Sequence, residues 1–402
     1  MPEFKFSLPP ITALNDDQQL AYDPKSSMFV TGGPGSGKTV VTIFRFLRAV
    51  LEKKKIILFT YNRTLMYSIK GTLRDRSEEL FGSFDKESID IVVEEQLSTF
   101  FKWHKDNIVY YNPLSGAEEV ADNFKSYVEI HGQFVEMFFD EGQDLPRTVY
   151  GNAFILSKTV SVGADRAQNY RGYYSDDEVE DVINDELNAQ QPTDWQYLAS
   201  NFRNTKEIFD LAKKFVPRDP RVQRMESRLL RRGNNPEIQI GLNVGQQLNI
   251  VKTIVEANLN SNIGILVHFP TEITTIRMFL ETIGYSCRPN ADPAKSYSYY
   301  YNKMSINDEK YMKDKLSTPF ITTFESCKGL EFDVVIMPFF DSSDVATTKK
   351  NDEGRFWATP NHYYVAVTRA KNDLFILCNN KPMALSFYTA PAALDADDDL
   401  PF

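Results

Sequence analysis

Residues Gly32 to Thr39 read GGPGSGKT, set between the apolar run Met28-Phe29-Val30 and a second apolar stretch that begins at Val40. Gly32-x-x-x-x-Gly37-Lys38-Thr39 is a complete phosphate loop. Gly32, Gly33, Gly35 and Gly37, with Pro34 and Ser36 among them, let backbone N–H groups converge on one concavity. The helix that follows turns its positive end toward an anion, Lys38 has the length to reach β- and γ-phosphates, and Thr39 carries a hydroxyl suited to Mg2+. The ligand this loop predicts is ATP or another nucleoside triphosphate. Kinases, transporters, switches and motors all use such a loop, so the loop alone does not say what the energy drives.

Outward from the loop, short apolar runs of strand length recur at Ile56 to Phe59, Phe138-Phe139, Val160 to Val162, Ile263 to Val267, Phe320-Ile321, Val334 to Ile336 and Leu374 to Leu377. Stretches of helical length lie between them: Val40 to Leu51, Thr205 to Phe215, Gln246 to Leu259 and Thr271 to Ile283. Strand and helix in alternation predict an α/β fold with parallel sheets and crossover helices. The pattern occurs twice, on either side of about residue 197, so the expected organisation is one core over 1–196 and another over 197–390. Two stretches interrupt it and are expected as small insertions: about 63–132, and about 286–318 with its tyrosine-rich SYSYYYNKM.

Composition agrees with two cores, since 402 residues at 42% hydrophobic content can fill two interiors of ordinary size. Cys287, Cys327 and Cys378 have no paired or metal-ligand spacing, no apolar run approaches a bilayer span, and the N-terminus has no basic-then-apolar leader. A cytoplasmic protein without a membrane partner is expected. The net charge of −10 argues against a surface coated in basic residues, while leaving room for a local cationic groove. Asp176 to Glu186, with seven acids and no bases, is expected to be a solvated surface segment.

A phosphate loop needs a further metal ligand and a group to activate water. Phe138-Phe139-Asp140-Glu141 is an apolar strand ending in two carboxylates, Asp140 for the metal and Glu141 to orient and deprotonate the water.

DEGQD at 140–144 resembles the DExQD box of the UvrD/Rep/PcrA-like superfamily 1 DNA helicases, and further boxes follow in that family's order. Leu14-Asn15-Asp16-Asp17-Gln18 is similar to LNxxQ, and Ile57 to Asn62 (ILFTYN) to the segment that touches single-stranded DNA. Val162-Gly163-Ala164-Asp165 with Gln168 is similar to VGD…Q, and Asn201-Phe202-Arg203-Asn204-Thr205 to NYRS. Thr322 to Phe332 (TTFESCKGLEF) resembles TxHSxKGLEF, and Tyr364 to Ala370 resembles YVAxTRA. The resemblance covers nearly the whole chain. It implies two RecA-like P-loop NTPase cores with the ATP cleft between them, so that Arg203 and Arg369 reach the γ-phosphate when the cleft shuts; an arginine so placed is worth roughly 10³–10⁵ in rate. It also implies that Gln18 contacts the adenine edge, Phe202 the adenine face, Glu331 the ribose with Gly329 beside it, and that Gln168 senses the γ-phosphate.

A motor on single-stranded DNA needs aromatic faces for bases, each stack worth roughly 1–3 kcal/mol. Tyr61 and Tyr170 are the candidates, with packing in the core or on the surface as the alternative for each; Asn62, Arg171 and Thr322 are the accompanying nucleic-acid contacts implied by the resemblance. Departures from the family pattern are Val40 where arginine is usual after GKT, Glu325 for the histidine of TxHSxKGLEF, and His268 in place of an arginine. The insertions are small for the family. Separating a duplex against roughly 1.4 kcal/mol of stacking per step needs a wedge that a partner would then supply. The acidic segment 391–402, ending Asp397-Asp398-Asp399-Leu400-Pro401-Phe402, resembles the acidic tip of bacterial single-stranded DNA-binding proteins and is a candidate contact for a protein partner or for the chain's own groove, with a solvated tail as the alternative.

Three functions follow as alternatives. The first is an ATP- and Mg2+-dependent translocase or helicase on single-stranded DNA, moving 3′ to 5′ as the resemblance implies. The second is a DNA-stimulated ATPase subunit that switches a nuclease, repair or phage-defence partner. The third, a catalytically dead binding module, is opposed by the intact hydrolytic residues.

Overall fold

The computed structural model describes residues 6–389 apart from 61, 83, 109–111, 113–114, 170–171, 176–177, 226–230, 289, 303, 306–308, 310–315 and 352–353. Tyr61, Tyr170, Arg171 and the 391–402 tail therefore lie outside the described residues.

The first sheet comprises β1 (Met28–Gly32), β2 (Ile56–Thr60), β3 (Leu97–Thr99), β4 (Phe134–Phe139), β5 (Ser157–Ala164) and β6 (Asp194–Leu198), in the order β3-β2-β4-β5-β1-β6. The second comprises β7 (Glu237–Ile240), β8 (Ile263–Val267), β9 (Ser298–Tyr300), β10 (Phe320–Thr323), β11 (Phe332–Met337) and β12 (Ala370–Cys378), in the order β7-β12-β11-β8-β10-β9. Every pairing in both sheets is parallel. β1, β2 and β8 are buried at every position, as strands covered by helices on both faces must be.

Parallel pairing decides where the site lies. Thr31 stands beside Ala164 and Phe139 beside Val162, so the loops after β1, β4 and β5 leave the first sheet along one edge. The phosphate loop, Asp140-Glu141 and Asp165 to Gln168 gather there. From the second sheet, the segment before β11 carries Gly329 and Glu331, and Arg369 immediately precedes β12. The two sheets share an apolar cluster that contains Phe46, Leu65 and Phe138 together with Ile208, Val334 and Tyr364.

Both stretches expected as insertions hold part of a core. The helix Arg63–Asp75 follows β2 and packs into the shared cluster, while β3 and β9 close one edge of each sheet. β6 pairs with β1, so the first sheet runs to Leu198, past the expected division at 196/197. The acidic stretch forms a helix over Val179–Asn188, and its Glu186 meets Arg147 at 2.5 Å. No helix among the described residues is long and apolar enough to cross a membrane.

Candidate functional site

The helix Lys38–Leu51 starts directly after Gly37, which sits at φ 93°. A Cβ there would fall 2.2 Å from Gln18 Nε2, and one on Gly35 (φ 74°) 2.5 Å from Asn201 Oδ1. These glycines leave room for side chains that close the cleft as well as for phosphate. The Lys38 ammonium donates to the carbonyls of Gly32 (2.7 Å) and Gly33 (3.0 Å), with Asp165 Oδ2 at 3.5 Å. The Thr39 hydroxyl donates to Asp140, its oxygens 3.1 and 3.0 Å away.

Burial and the adjacent Glu141 raise the Asp140 carboxyl above its ordinary range. Burial would raise Glu141 too, but Lys328, Lys38, the amide of Gln143 and Arg369 outweigh it and hold Glu141 below the usual carboxylate range. Glu141 lies in the left-handed region at φ 60°, an uncommon conformation for a residue with a side chain, and Gln143 Nε2 donates to its Oε2 at 2.6 Å. Gln143 Oε1 accepts from the Asp165 N–H at 2.9 Å, and Gln168 Nε2 donates to Asp165 Oδ2 at 2.7 Å. The groups next to the phosphate loop thus form one bonded network. Gln168 Oε1 is buried there without a hydrogen-bond partner.

Across the cleft, the Asn204 amide donates to the carbonyls of Thr368 (3.1 Å) and Ala370 (2.6 Å), which ties the segment carrying Arg203 to the one carrying Arg369. Arg203 Nε donates to Glu331 Oε2 at 3.1 Å, and Arg369 donates to the carbonyls of Val365 and Leu330, each at 3.0 Å. One guanidinium nitrogen of each arginine is buried without a partner, Nη1 of Arg203 and Nη2 of Arg369. Burial, with Arg369 nearby, lowers the Arg203 pKa. The N–H of Phe202 donates to the Gly35 carbonyl at 2.9 Å, and its ring is 55% exposed in the cleft.

The cleft has a volume of about 310 Å³. Its walls bring together Gln18, Pro34, Gly35, Gly37, Lys38, Thr39, Glu141 and Gln168 with Phe202, Arg203, Gly329, Glu331 and Arg369. Gly32, Gly33, Ser36 and Asp140 stand behind this lining, in the loop or bonded to it. Gln18 is clamped, Oε1 accepting from the Asn15 N–H (3.1 Å) and Nε2 donating to the Ser36 carbonyl (2.9 Å), with one N–H and one lone pair left over.

Two expected nucleic-acid contacts are not offered to a strand. Asn62 is 5% exposed because its side chain caps the helix Arg63–Asp75 at the Leu65 N–H and donates to the Lys328 carbonyl at 2.6 Å. Thr322 is 0% exposed, lying within β10 between β8 and β9. Several residues at the cleft were not anticipated. Lys328, fully buried, donates to Asp144 Oδ2 (2.5 Å) and the Gln168 carbonyl (2.6 Å), and Lys371 lines the wall beside Glu331. Phe6, Ser7, Pro9 and Ala13 also line the cleft. Lys328 sat inside a quoted box, whereas nothing local in the sequence marks Lys371 or the N-terminal segment.

Residues 272–381 match the family model of the UvrD-like helicase C-terminal domain. The match assigns a UvrD-like helicase C-terminal domain to that part of the chain. The two wholly parallel sheets are consistent with two RecA-like domains. Among solved structures, the chain is similar to the C-terminal domain of a possible DNA helicase from Lactobacillus plantarum WCFS1, with 17% identity and a TM-score of 0.32 over 48% of this chain and 96% of that one. It is similar also to the PRRSV helicase, with 12% identity and a TM-score of 0.37, covering 88% of this chain and 52% of that one. The chain thus spans about half the length of the PRRSV helicase. No curated protein matches the chain.

Proposed function

We propose that this helicase-type chain is an ATP- and Mg2+-dependent motor on single-stranded DNA, moving 3′ to 5′, in which hydrolysis is tied to closure of two RecA-like cores. The observation that supports this reading is the cleft itself. It sets Lys38, Thr39, Glu141 and Gln168 from the first sheet against Glu331 and Arg369 from the second and Arg203 from the segment that joins the two. Lys38 holds the β- and γ-phosphates, Gln18 reads the adenine edge with its spare N–H and lone pair, Phe202 covers the base, and Glu331 takes the ribose.

Thr39 and Asp140 fit Mg2+, being a hydroxyl and a carboxylate already within 3.1 Å of one another. Mg2+ bound with few protein ligands takes the rest from substrate phosphates and water. Bound there, the ion would neutralise charge on the β- and γ-phosphate oxygens. Glu141 accepts the proton of the attacking water as its oxygen bonds to the γ-phosphorus and the bond to the bridging oxygen breaks, giving ADP and phosphate. Arg203 and Arg369 stabilise the charge that builds on the leaving and transferring oxygens. Because they come from the other side of the cleft, the reaction requires closure.

The test is ATPase activity with and without single-stranded DNA, followed by strand displacement on 3′-tailed and 5′-tailed duplexes. Stimulation with displacement of the 3′-tailed duplex is expected. No stimulation would overturn the motor, and stimulation without displacement would favour an ATPase subunit that switches a partner.

A further inference from the structure

Lys371 stands in the cleft wall with its ammonium 3.8 Å from Glu331 Oε1 and 3.6 Å from Asp333 Oδ1. The other oxygen of Glu331 accepts from Arg203 Nε at 3.1 Å. Two cations thus share one carboxylate, and Arg203 alone is within hydrogen-bond distance of it. Asp333 is partly engaged elsewhere, its Oδ2 accepting from the Asn262 N–H at 2.9 Å.

This arrangement sets a condition on Arg203. Its Nε is held at Glu331 while Nη1 is buried without a partner, so a guanidinium that turns fully toward a γ-phosphate must loosen its hold on the carboxylate. Glu331 has a side chain only 15% exposed, and a carboxylate so placed is costly to leave without a cation. Lys371, 29% exposed on a flexible stem, is already within ion-pair range and can close the remaining gap.

We propose that Lys371 is a positioning residue for the hydrolytic step: Glu331 keeps Arg203 in reserve, and Lys371 takes over the carboxylate when Arg203 moves to the γ-phosphate. The inference rests on the reading that Arg203 acts at that phosphate. Since the exchange happens on the way to the transition state, loss of Lys371 lowers kcat and leaves ground-state binding of nucleotide alone.

Lys371→Met and Lys371→Arg, assayed for steady-state ATPase at saturating single-stranded DNA, test it. Lys371→Met is expected to lower kcat about tenfold with KM held within about twofold, and Lys371→Arg to regain most of the loss. Wild-type kcat in Lys371→Met would overturn the proposal. So would a raised KM at unchanged kcat, which marks a plain nucleotide contact, or an arginine variant as slow as the methionine one. Thermal melts accompany the kinetics, and Lys371→Gln, read the same way, decides the matter if Lys371→Met melts below the assay temperature. A wild-type chain that hydrolyses no ATP defeats the parent reading and this inference together; an active wild type with an unaffected Lys371→Met defeats this inference alone.

Discussion

Replacing Lys328 by methionine keeps most of the stem and removes the charge, which separates two consequences of one buried ammonium. Lys328 and Asp144 are 0% and 1% exposed, and their contact joins the segment between β10 and β11 to the loop after β4. Without the ammonium, buried Asp144 loses this cation and the Gln168 carbonyl loses a donor. Breaking a buried pair from one side costs about 3–5 kcal/mol. Typical domain stabilities are about 5–15 kcal/mol, so a large drop in the urea midpoint is expected, readable through the three tryptophans.

The second consequence is electrostatic. Lys328 stands 3.8 Å from Glu141 and is the foremost of the cations that hold that carboxyl down against burial. Removing it raises the Glu141 pKa. On the proposal that Glu141 is the general base, it must be ionised, so the acid limb of the ATPase pH–rate profile moves to higher pH. Lys328→Met/Asp144→Leu divides the two effects: an apolar pair in place of a buried ion pair is often neutral or stabilising, so the midpoint should recover while the limb stays displaced. An unchanged midpoint in Lys328→Met would refute the bridge as a fastening between the sheets. An unchanged acid limb would refute the electrostatic hold on Glu141.

Three further outcomes are expected. Gly37→Ala puts a Cβ 2.2 Å from Gln18 Nε2 at φ 93°, a strain of about 1–3 kcal/mol, so ATP affinity measured by calorimetry should weaken by about tenfold or more; wild-type affinity would count against the clamp on Gln18. Arg45→Met removes the cation beside buried Glu136 and the donors to the carbonyls of Ala21, Pro24 and Ser26, and should cost about 3–5 kcal/mol in urea unfolding; a smaller loss than for an exposed arginine would refute that role. Burial pushes His268 and His362 down to about 3 from 6.5, so the unfolded chain takes up protons first and stability is lost as pH falls from about 6.5 toward 3, by about 2 kcal/mol per histidine between pH 7 and 5. His268→Leu should flatten that dependence relative to wild type in paired urea titrations; an equally steep loss would show that His268 is not responsible.

Strands were legible in proportion to their burial on both faces. The apolar runs at 56–59, 263–267, 334–336 and 374–377 all fall in strands inside the sheets, where helices cover both sides. β3, β6, β7 and β9, which no such run announced, are the edges of the two sheets. β6 and β7 are largely open to solvent, so Asp194–Leu198 and Glu237–Ile240 mix polar with apolar residues. β3 and β9 are buried but only three residues long, too short for a period to emerge. The stretches expected as insertions owe that expectation to these concealed edges.

The site divides along a related line. A parallel sheet brings strand ends to one edge, so short boxes that each follow a strand converge without any long-range information beyond the order of the strands. That is why Lys38, Thr39, Asp140, Glu141 and Gln168 could be placed together from the sequence. Charge compensation has no such local signature. Lys328 finds its acid 184 positions away, and Arg203 its acid 128 positions away. The same holds for Asn62, whose sequence context suggested a surface contact but whose amide is consumed by a cap and a carbonyl 266 positions distant. A buried polar side chain takes whichever partner the packed sheets bring to it, and its exposure follows from that pairing. The network from Lys328 through Asp144, Glu141 and Gln168 therefore belongs to the contact between the sheets, and its response to Lys328→Met measures that contact directly.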